Sequence, residues 1–145
     1  MSREYSETLT PVDKVLCLQS VDVFKYATTE MLAYIGSIAR EIPAPAGTVI
    51  FAEHDMSDAM YIVVSGSVRL EKEGTEVLVV GESQSVGTWA LFDNAPRIMT
   101  AVAVDEVQLL KITSEDFYGF LADHEEITPA IFKAVIERVK NLAPE

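Results

Sequence analysis

The sequence predicts a mainly β fold, an eight-stranded antiparallel double-sheet roll with α-helices at its N-terminal and C-terminal ends. One observation behind this prediction is that residues 41–112 form short apolar or alternating runs, which glycine, proline and acidic residues separate. Another is that no segment of helix length lies between successive runs, which argues against a doubly wound parallel sheet. Helical spacing of apolar residues occurs on both sides of this region, so we expect helices there.

Two helices are predicted before the strands. Residues 10–18 favour a short helix, because a threonine can cap it, a proline suits its first position and an acid lies in its first turn. A second helix should begin near Thr28 or Thr29 and end before Pro43, with apolar residues recurring along one face. We expect residues 1–9 to be disordered and residues 1–145 to form one domain, since no repeat or linker divides the chain.

The predicted strands follow one another closely. They are Glu41–Ala44, Val49–Ala52, Met60–Ser65, Ser67–Lys72, Thr75–Val80, Ser85–Val86, Ile98–Val104 and Val107–Ile112. Gly66 and Gly74 lie between runs where hairpins must turn, and Asp105 with Glu106 separates the last pair.

Two further helices are predicted after the strands. Thr113 can cap the first, which has an acidic first turn and should end near Asp123. Thr128 and Pro129 then repeat the opening of a cap followed by proline. The apolar stripe of this last helix comprises Ile131, Phe132, Val135, Ile136, Val139 and Leu142. Such a stripe must pack on the roll, on a partner, or on both.

The composition limits the classes of function. With 49% hydrophobic and 23% charged residues, the chain has the composition of a compact globular domain. Its formal net charge of −12 argues against nucleic acid as a partner, because nucleic-acid binding draws on clustered lysine and arginine. An anionic ligand must therefore be held by a local arrangement of groups that overcomes a repulsive overall field.

The cysteine count and the apolar runs bear on location. The single Cys17 cannot form an internal disulfide, and the N-terminal region has no apolar run of signal-peptide length, so we predict a cytoplasmic location. No stretch approaches the roughly 18 consecutive apolar residues of a spanning helix, so direct membrane insertion is not expected.

No set of residues with the pattern of a catalytic site is evident. A metal site in a roll needs clustered histidines with a carboxylate, whereas His54 and His124 are far apart in the sequence. Cys17 lies in an apolar run, where a thiol usually packs and does not react. We therefore expect neither an enzyme nor a bound metal or cofactor.

The segment with most chemical information is residues 86–100. Gly87 precedes a short helical turn whose first backbone N–H groups can face an anion. Arg97 follows a proline that fixes the return of the chain, and its guanidinium could pair with a phosphate. From these residues alone, a capped loop with a surface arginine remains an equal alternative.

Residues 86–100 resemble the phosphate-binding cassette of cyclic-nucleotide-binding domains, as in catabolite activator proteins, protein kinase A regulatory subunits and cyclic-nucleotide-gated channels. The other resembling segments are residues 46–51, 53–55 and 58–68, and the glycines at the family's usual places are Gly47, Gly66 and Gly87. The resemblance extends over about residues 12–140 and implies a jelly-roll-like β-roll with a cyclic nucleotide as ligand.

The resemblance also implies which residues contact the ligand. They are Gly87, Thr88, Trp89, Ala90, Arg97, Ile98 and Thr100. By this resemblance Arg97 pairs with the cyclic phosphate, Gly87 and Ala90 form the turn that offers backbone amides, and the Thr100 hydroxyl lies near the phosphate and base. Trp89 either covers the pocket or packs in the core, and we favour core packing.

Two departures from the family pattern imply weak binding. Thr88 stands where the family has the glutamate that accepts the ribose 2′-hydroxyl, and Ile98 and Met99 follow Arg97 where small residues are usual. A hydrogen bond to a charged acceptor contributes roughly 1.5–3 kcal/mol, so its loss weakens a ribosyl ligand by about tenfold to a hundredfold. His54 replaces a glycine that is common in the family, which bears on the shape of its loop.

The predicted function is a regulatory sensor whose cassette binds cyclic AMP, cyclic GMP or a related small anion and signals through the C-terminal helix. The effector would be a fused or separate domain. The chain ends at Glu145, directly after that helix, so we expect no helix-turn-helix of the transcription-factor branch. The alternative is a degenerate roll without a ligand, which acts as a docking module or as a homodimer through the C-terminal helix.

Overall fold

The computed structural model describes residues 9–142. Its helices are α1 (Pro11–Gln19), α2 (Thr29–Ile38), α3 (Ser114–Asp123) and α4 (Thr128–Leu142), and its strands are β1 (Arg40–Ala44), β2 (Val49–Phe51), β3 (Ala59–Ser65), β4 (Val68–Lys72), β5 (Thr75–Val80), β6 (Ser85–Val86), β7 (Thr100–Ala103) and β8 (Val107–Thr113). Short 3-10 turns occur at Asp22–Phe24, Thr88–Leu91 and Glu125–Ile127. The fold is thus mainly antiparallel β with flanking helices, as predicted.

The strands form two four-stranded antiparallel sheets. The first sheet has the order β1-β8-β3-β6 and the second has the order β2-β7-β4-β5. In β3, Met60 and Ile62 are buried against the helices, whereas Tyr61 and Val63 are buried between the two sheets. This alternation follows from the two-residue period of a strand, and it gives the roll an inter-sheet core and a helix-to-sheet core.

The helix N-termini follow from their sequence. The Thr10 hydroxyl accepts from the backbone N–H of Asp13, and the Asp13 carboxylate accepts from the backbone N–H of Thr10, which completes a capping box for α1. Thr28 and Thr113 cap α2 and α3 with their hydroxyls, which accept from the backbone N–H groups of Met31 and Asp116. These caps confirm the predicted starts of the three helices.

The start of α4 differs from the prediction. Thr128 has helical backbone angles (φ −55°, ψ −44°) and is therefore the first residue of the helix, not its cap. The reason is that the 3-10 turn at Glu125–Ile127 runs directly into α4.

The seventh strand is shorter than predicted at its N-terminal end. It begins at Thr100, not at Ile98, because the chain just before it pairs with the loop after β2. The backbone N–H of Arg97 donates to the Asp55 carbonyl at 2.7 Å, and the Arg97 carbonyl accepts from the His54 N–H at 2.8 Å. Within this paired segment Arg97 is buried and Ile98 is exposed.

We predicted disorder for residues 1–9, and residues 1–8 lie outside the described part of the chain. Leu9 is described, and its backbone N–H donates to the Glu41 carboxylate at 2.9 Å. Among the described helices, none combines the length and the apolar character that crossing a membrane requires.

Candidate functional site

Gly87 begins the site, at the junction of β6 and the 3-10 turn Thr88–Leu91. Its backbone is left-handed, with φ +70°, a conformation that glycine adopts without strain. A Cβ atom at this position would collide with Nη1 of Arg97. Glycine is therefore required both by the backbone and by the close approach of the arginine.

Arg97 lies inside the roll. The residue is only 6% exposed, and Nη2 donates to the backbone carbonyl of Ala59 at 2.7 Å. The guanidinium carbon lies 3.9 Å from the centre of the Phe51 ring, which is a close cation–π contact. The structure thus excludes the alternative of a surface arginine on a capped loop.

The loop that holds Arg97 contains a residue with a left-handed backbone. His54, whose backbone bonds to the Arg97 carbonyl, has φ +76° although it is not glycine. The loop at His54 thus adopts the left-handed conformation that glycine adopts most readily.

The charge of Arg97 is incompletely satisfied. Within residues 9–142, no carboxylate forms an ion pair with it, and its buried Nε has no hydrogen-bond partner. Burial lowers the pKa of Arg97, while Tyr61, Asp58 and Asp55 act in the opposite direction. A buried guanidinium with one hydrogen bond is a favourable binding partner for an anion.

A cavity of about 390 Å³ opens beside Arg97. Six of the seven predicted site residues line it, namely Gly87, Thr88, Trp89, Ala90, Arg97 and Ile98. Further lining residues include Phe51, Leu70, Ser85, Asp93, Met99 and Arg138. The volume lies near the lower end of the range for small-molecule pockets, roughly 300–1,000 Å³.

Thr100 is the predicted site residue that does not line the cavity. Its hydroxyl accepts a hydrogen bond from the backbone N–H of Glu53 at 2.9 Å. Thr100 is the first residue of β7, and its hydroxyl is used to hold the loop after β2. The role of Thr100 beside the phosphate and base stays a prediction, and its hydroxyl is already engaged by Glu53.

The two departures from the family pattern have different structural effects. Thr88 is nearly buried, at 9% exposure, and its hydroxyl is hydrogen-bonded to the Ser85 hydroxyl at 2.9 Å. Ile98 is 69% exposed and stands at the rim, so its side chain does not fill the cavity. The substitution of Thr88 changes the polar wall, whereas Ile98 leaves the space beside Arg97 open.

The position of Trp89 differs from the prediction that it packs in the core. It is 40% exposed and lines the cavity, so the favoured interpretation of core packing is wrong. Its ring packs against Phe92 with the centroids 6.1 Å apart, and the guanidinium of Arg138 lies 5.2 Å from the ring centre.

Sequence reasoning missed Arg138, which reaches the cavity from α4. It missed Phe51 and Ser85 as well, although both lie in predicted strands. Alternation along a strand could have placed Phe51 and Tyr61 on inward faces, but the contact of Arg138 depends on how α4 docks.

The fold and site define a small β-roll in which a glycine-led turn and a buried arginine lie beside a cavity. The sequence profile described as "Cyclic nucleotide-binding domain" matches residues 41–124. The chain belongs to the cyclic-nucleotide-binding domain family.

Three relatives illustrate the membership. A CRP-like cAMP-activated global transcriptional regulator from Mycobacterium tuberculosis is 25% identical over 128 residues, which are 85% of this chain and 57% of the regulator. The crystal structure of the N-terminal domain of a transcriptional regulator from Streptomyces coelicolor A3(2) superposes with a TM-score of 0.82, at 30% identity, over 88% of this chain and 94% of that one. Lysophospholipase nte1 from Aspergillus fumigatus is 31% identical over 117 residues, 77% of this chain but 8% of the lysophospholipase.

The chain therefore spans just over half of the mycobacterial regulator and a small part of the lysophospholipase. The similarity lies in a domain that also occurs within larger proteins of different activity.

Proposed function

We propose that this chain is a non-catalytic sensor domain that binds a cyclic nucleotide or a related small phosphorylated ligand in the cavity beside Arg97. The observation that carries the proposal is the guanidinium of Arg97, buried at the cavity wall without a carboxylate partner in the described residues. In a chain with a net charge of −12, this local cation is what an anionic ligand requires.

The remaining walls suit a nucleotide. Phe51, Leu70 and Trp89 offer apolar and aromatic surface for a base, and the Ser85–Thr88 hydroxyl pair offers hydrogen bonds to a ribose. Cyclic AMP is the first ligand to test, because the mycobacterial relative is described as cAMP-activated, and cyclic GMP is the second.

The affinity for a nucleotide should be lower than in a site where a carboxylate accepts the hydrogen bond of the ribose 2′-hydroxyl. Thr88 can supply a neutral hydroxyl, which already bonds to Ser85. A neutral hydrogen bond in place of a charged one weakens the ligand by about tenfold or more.

Helix α4 is the proposed output element. Its Arg138 lines the cavity, so a ligand there touches the cassette segment and α4 together. A ligand that binds one position of α4 better than another shifts the helix toward that position. The receiving effector, the cytoplasmic location and the lack of a nucleic-acid partner remain predictions from the sequence.

The direct test is calorimetric titration with cyclic AMP and cyclic GMP, with the fluorescence of Trp89, the only tryptophan, as a second signal. Arg97→Gln should weaken binding by about a hundredfold, since it removes a charge-assisted hydrogen bond from a buried site. Arg40→Gln is the matched control, because Arg40 is exposed and pairs with Asp116 at 3.2 Å outside the cavity. Absence of binding at millimolar nucleotide would contradict the proposal.

A second candidate function is a docking or homodimerisation module, and the outer face of α4 favours it. Phe132, Val139 and Leu142 are exposed by 66%, 55% and 75%. If this module is the function, the chain binds neither nucleotide and self-associates in sedimentation experiments. Phe132→Ser should then produce a monomer, whereas Val12→Ser, at an exposed valine of α1, should not.

A further inference from the structure

Arg138 belongs to two environments at the same time. Its Nη1 lies 3.5 Å from Oδ2 of Asp22, in the 3-10 turn that precedes α2. Its guanidinium carbon lies 5.2 Å from the centre of the Trp89 ring, and the residue lines the cavity. One side chain therefore joins α4, the N-terminal turn and the candidate ligand site.

The pair between Arg138 and Asp22 is a weak one. Charge-assisted N–H···O bonds are typically about 2.7–2.9 Å long, so the separation of 3.5 Å is long for such a bond. The two side chains are 39% and 47% exposed, so water and salt screen their attraction. Little free energy is therefore needed to separate them.

The neighbouring residue holds α4 more firmly to the same region. The Glu137 carboxylate lies 2.9 Å from the ammonium group of Lys25 and accepts a hydrogen bond from the Tyr26 hydroxyl. If Arg138 leaves Asp22 for another partner, α4 therefore remains anchored through Glu137. Arg138 can turn toward the cavity while the helix stays attached to the N-terminal region.

We infer that Arg138 is an exchangeable second cation of the site, which Asp22 holds in the ligand-free protein and which moves to the anionic group of a bound ligand. The inference rests on the proposed function and adds that Arg138 couples ligand binding to α4. Asp22 competes with the ligand for Arg138, so ligand binding and the Asp22–Arg138 pair oppose each other. Because coupling is reciprocal, changes at Asp22 must alter ligand affinity.

The test is a double-mutant cycle on nucleotide affinity, measured by calorimetry with cyclic AMP and cyclic GMP. Arg138→Gln should weaken binding by about tenfold to a hundredfold, because a charge-assisted hydrogen bond is lost. Asp22→Asn should strengthen binding by about two- to fivefold, because the competitor is removed. In the Arg138→Gln background, Asp22→Asn should have no effect on affinity, since the other cation near Asp22, Lys25 at 3.9 Å, does not line the cavity.

Matched variants separate a local effect from a change in overall charge. Lys140→Gln removes the same charge from α4 at a residue outside the cavity, and Glu76→Gln removes an acid from the exposed face of β5. Neither should change the affinity by more than about twofold, because solvent screens distant exposed charges. Arg138→Lys keeps the charge and should recover part of the lost affinity.

Each outcome of the cycle is decisive. If the unaltered chain binds neither nucleotide, the proposed function fails and the exchange of Arg138 fails with it. If Arg97→Gln weakens binding but Arg138→Gln does not, the nucleotide site stands and the exchange alone is overturned. The exchange is equally overturned if Asp22→Asn weakens binding, or if its gain persists without Arg138.

Discussion

The two regions that bring arginines to the cavity are built in opposite ways. In the cassette segment, residues 86–100, Arg97 is 6% exposed and its backbone pairs with both His54 and Asp55. In α4, Arg138 is held by an exposed pair with Asp22 at 3.5 Å. One arginine is fixed as part of the folded core, and the other is attached to the surface.

This difference assigns different roles to the two regions. Only Ile131 and Ala134 of α4 are buried among the described residues, so little apolar packing fixes the helix. A preorganised region can provide affinity without a cost of rearrangement, and a weakly packed region can respond to what is bound. The contrast predicts that substitutions in the cassette segment change affinity strongly and that those around α4 have graded effects.

The largest effect should come from Gly87→Ala. The added methyl group meets the guanidinium of Arg97, so the arginine must leave its position beside the cavity. We expect nucleotide affinity to fall by about a hundredfold or more, since the charge-assisted contact is lost. Titration calorimetry measures the loss.

Gly74→Ala is the control for the backbone strain in that experiment. Gly74 has φ +81°, and nothing lies within 4 Å of its added Cβ. Both variants should lose stability by about 1 kcal/mol from the positive φ, but only Gly87→Ala should lose the ligand. Equal affinities in the two variants would disprove the role of the close approach.

The next effect concerns the polar wall of the cassette segment. Thr88→Glu should strengthen cyclic AMP binding by about tenfold to a hundredfold, because a carboxylate can accept the ribose 2′-hydroxyl. The gain should vanish with 2′-deoxy cyclic AMP, which lacks that donor. A gain of equal size for both ligands would show that Thr88 does not face the ribose.

A smaller effect is expected for the stability of Arg97→Met. The substitution leaves the Ala59 carbonyl without its donor, which costs about 1–3 kcal/mol, but it also removes the desolvation of a buried cation. These effects oppose each other, so the free energy of unfolding without ligand should change by less than about 1 kcal/mol, measured by urea denaturation. A large destabilisation would mean that Arg97 serves the fold and not the ligand.

The fold was predictable because its signals are local. Alternation in β3 and the threonine caps of α1 to α3 depend on residues close in sequence. The errors occurred where distant segments meet. The bond between the Thr100 hydroxyl and Glu53, for example, could not be predicted from the sequence.

Contacts between distant segments also explain why the sequence did not predict the exposed position of Trp89 or the contact of Arg138 with the cavity. Trp89 was placed in the core because large aromatic residues usually pack there, yet its ring lies at the cavity between Phe92 and Arg138 of α4. The docking of α4 depends on side chains that follow the N-terminal turn, such as Lys25 and Tyr26, which contact Glu137, and no period or spacing in the sequence encodes that contact.

The smallest effect should be a dependence of the α4 contact on pH. Hydrogen bonds from Tyr26 and then Lys25 lower the pKa of Glu137 below its ordinary value of 4.5. A depressed carboxylate pKa contributes stability that is present above the unfolded value and is lost as the pH falls through the folded value. The melting temperature should therefore drop slightly more steeply below pH 4.5 in the unaltered chain than in Glu137→Gln. Glu76→Gln, in the exposed strand β5, should retain the steeper slope, and identical slopes in all three proteins would show that Glu137 does not secure α4.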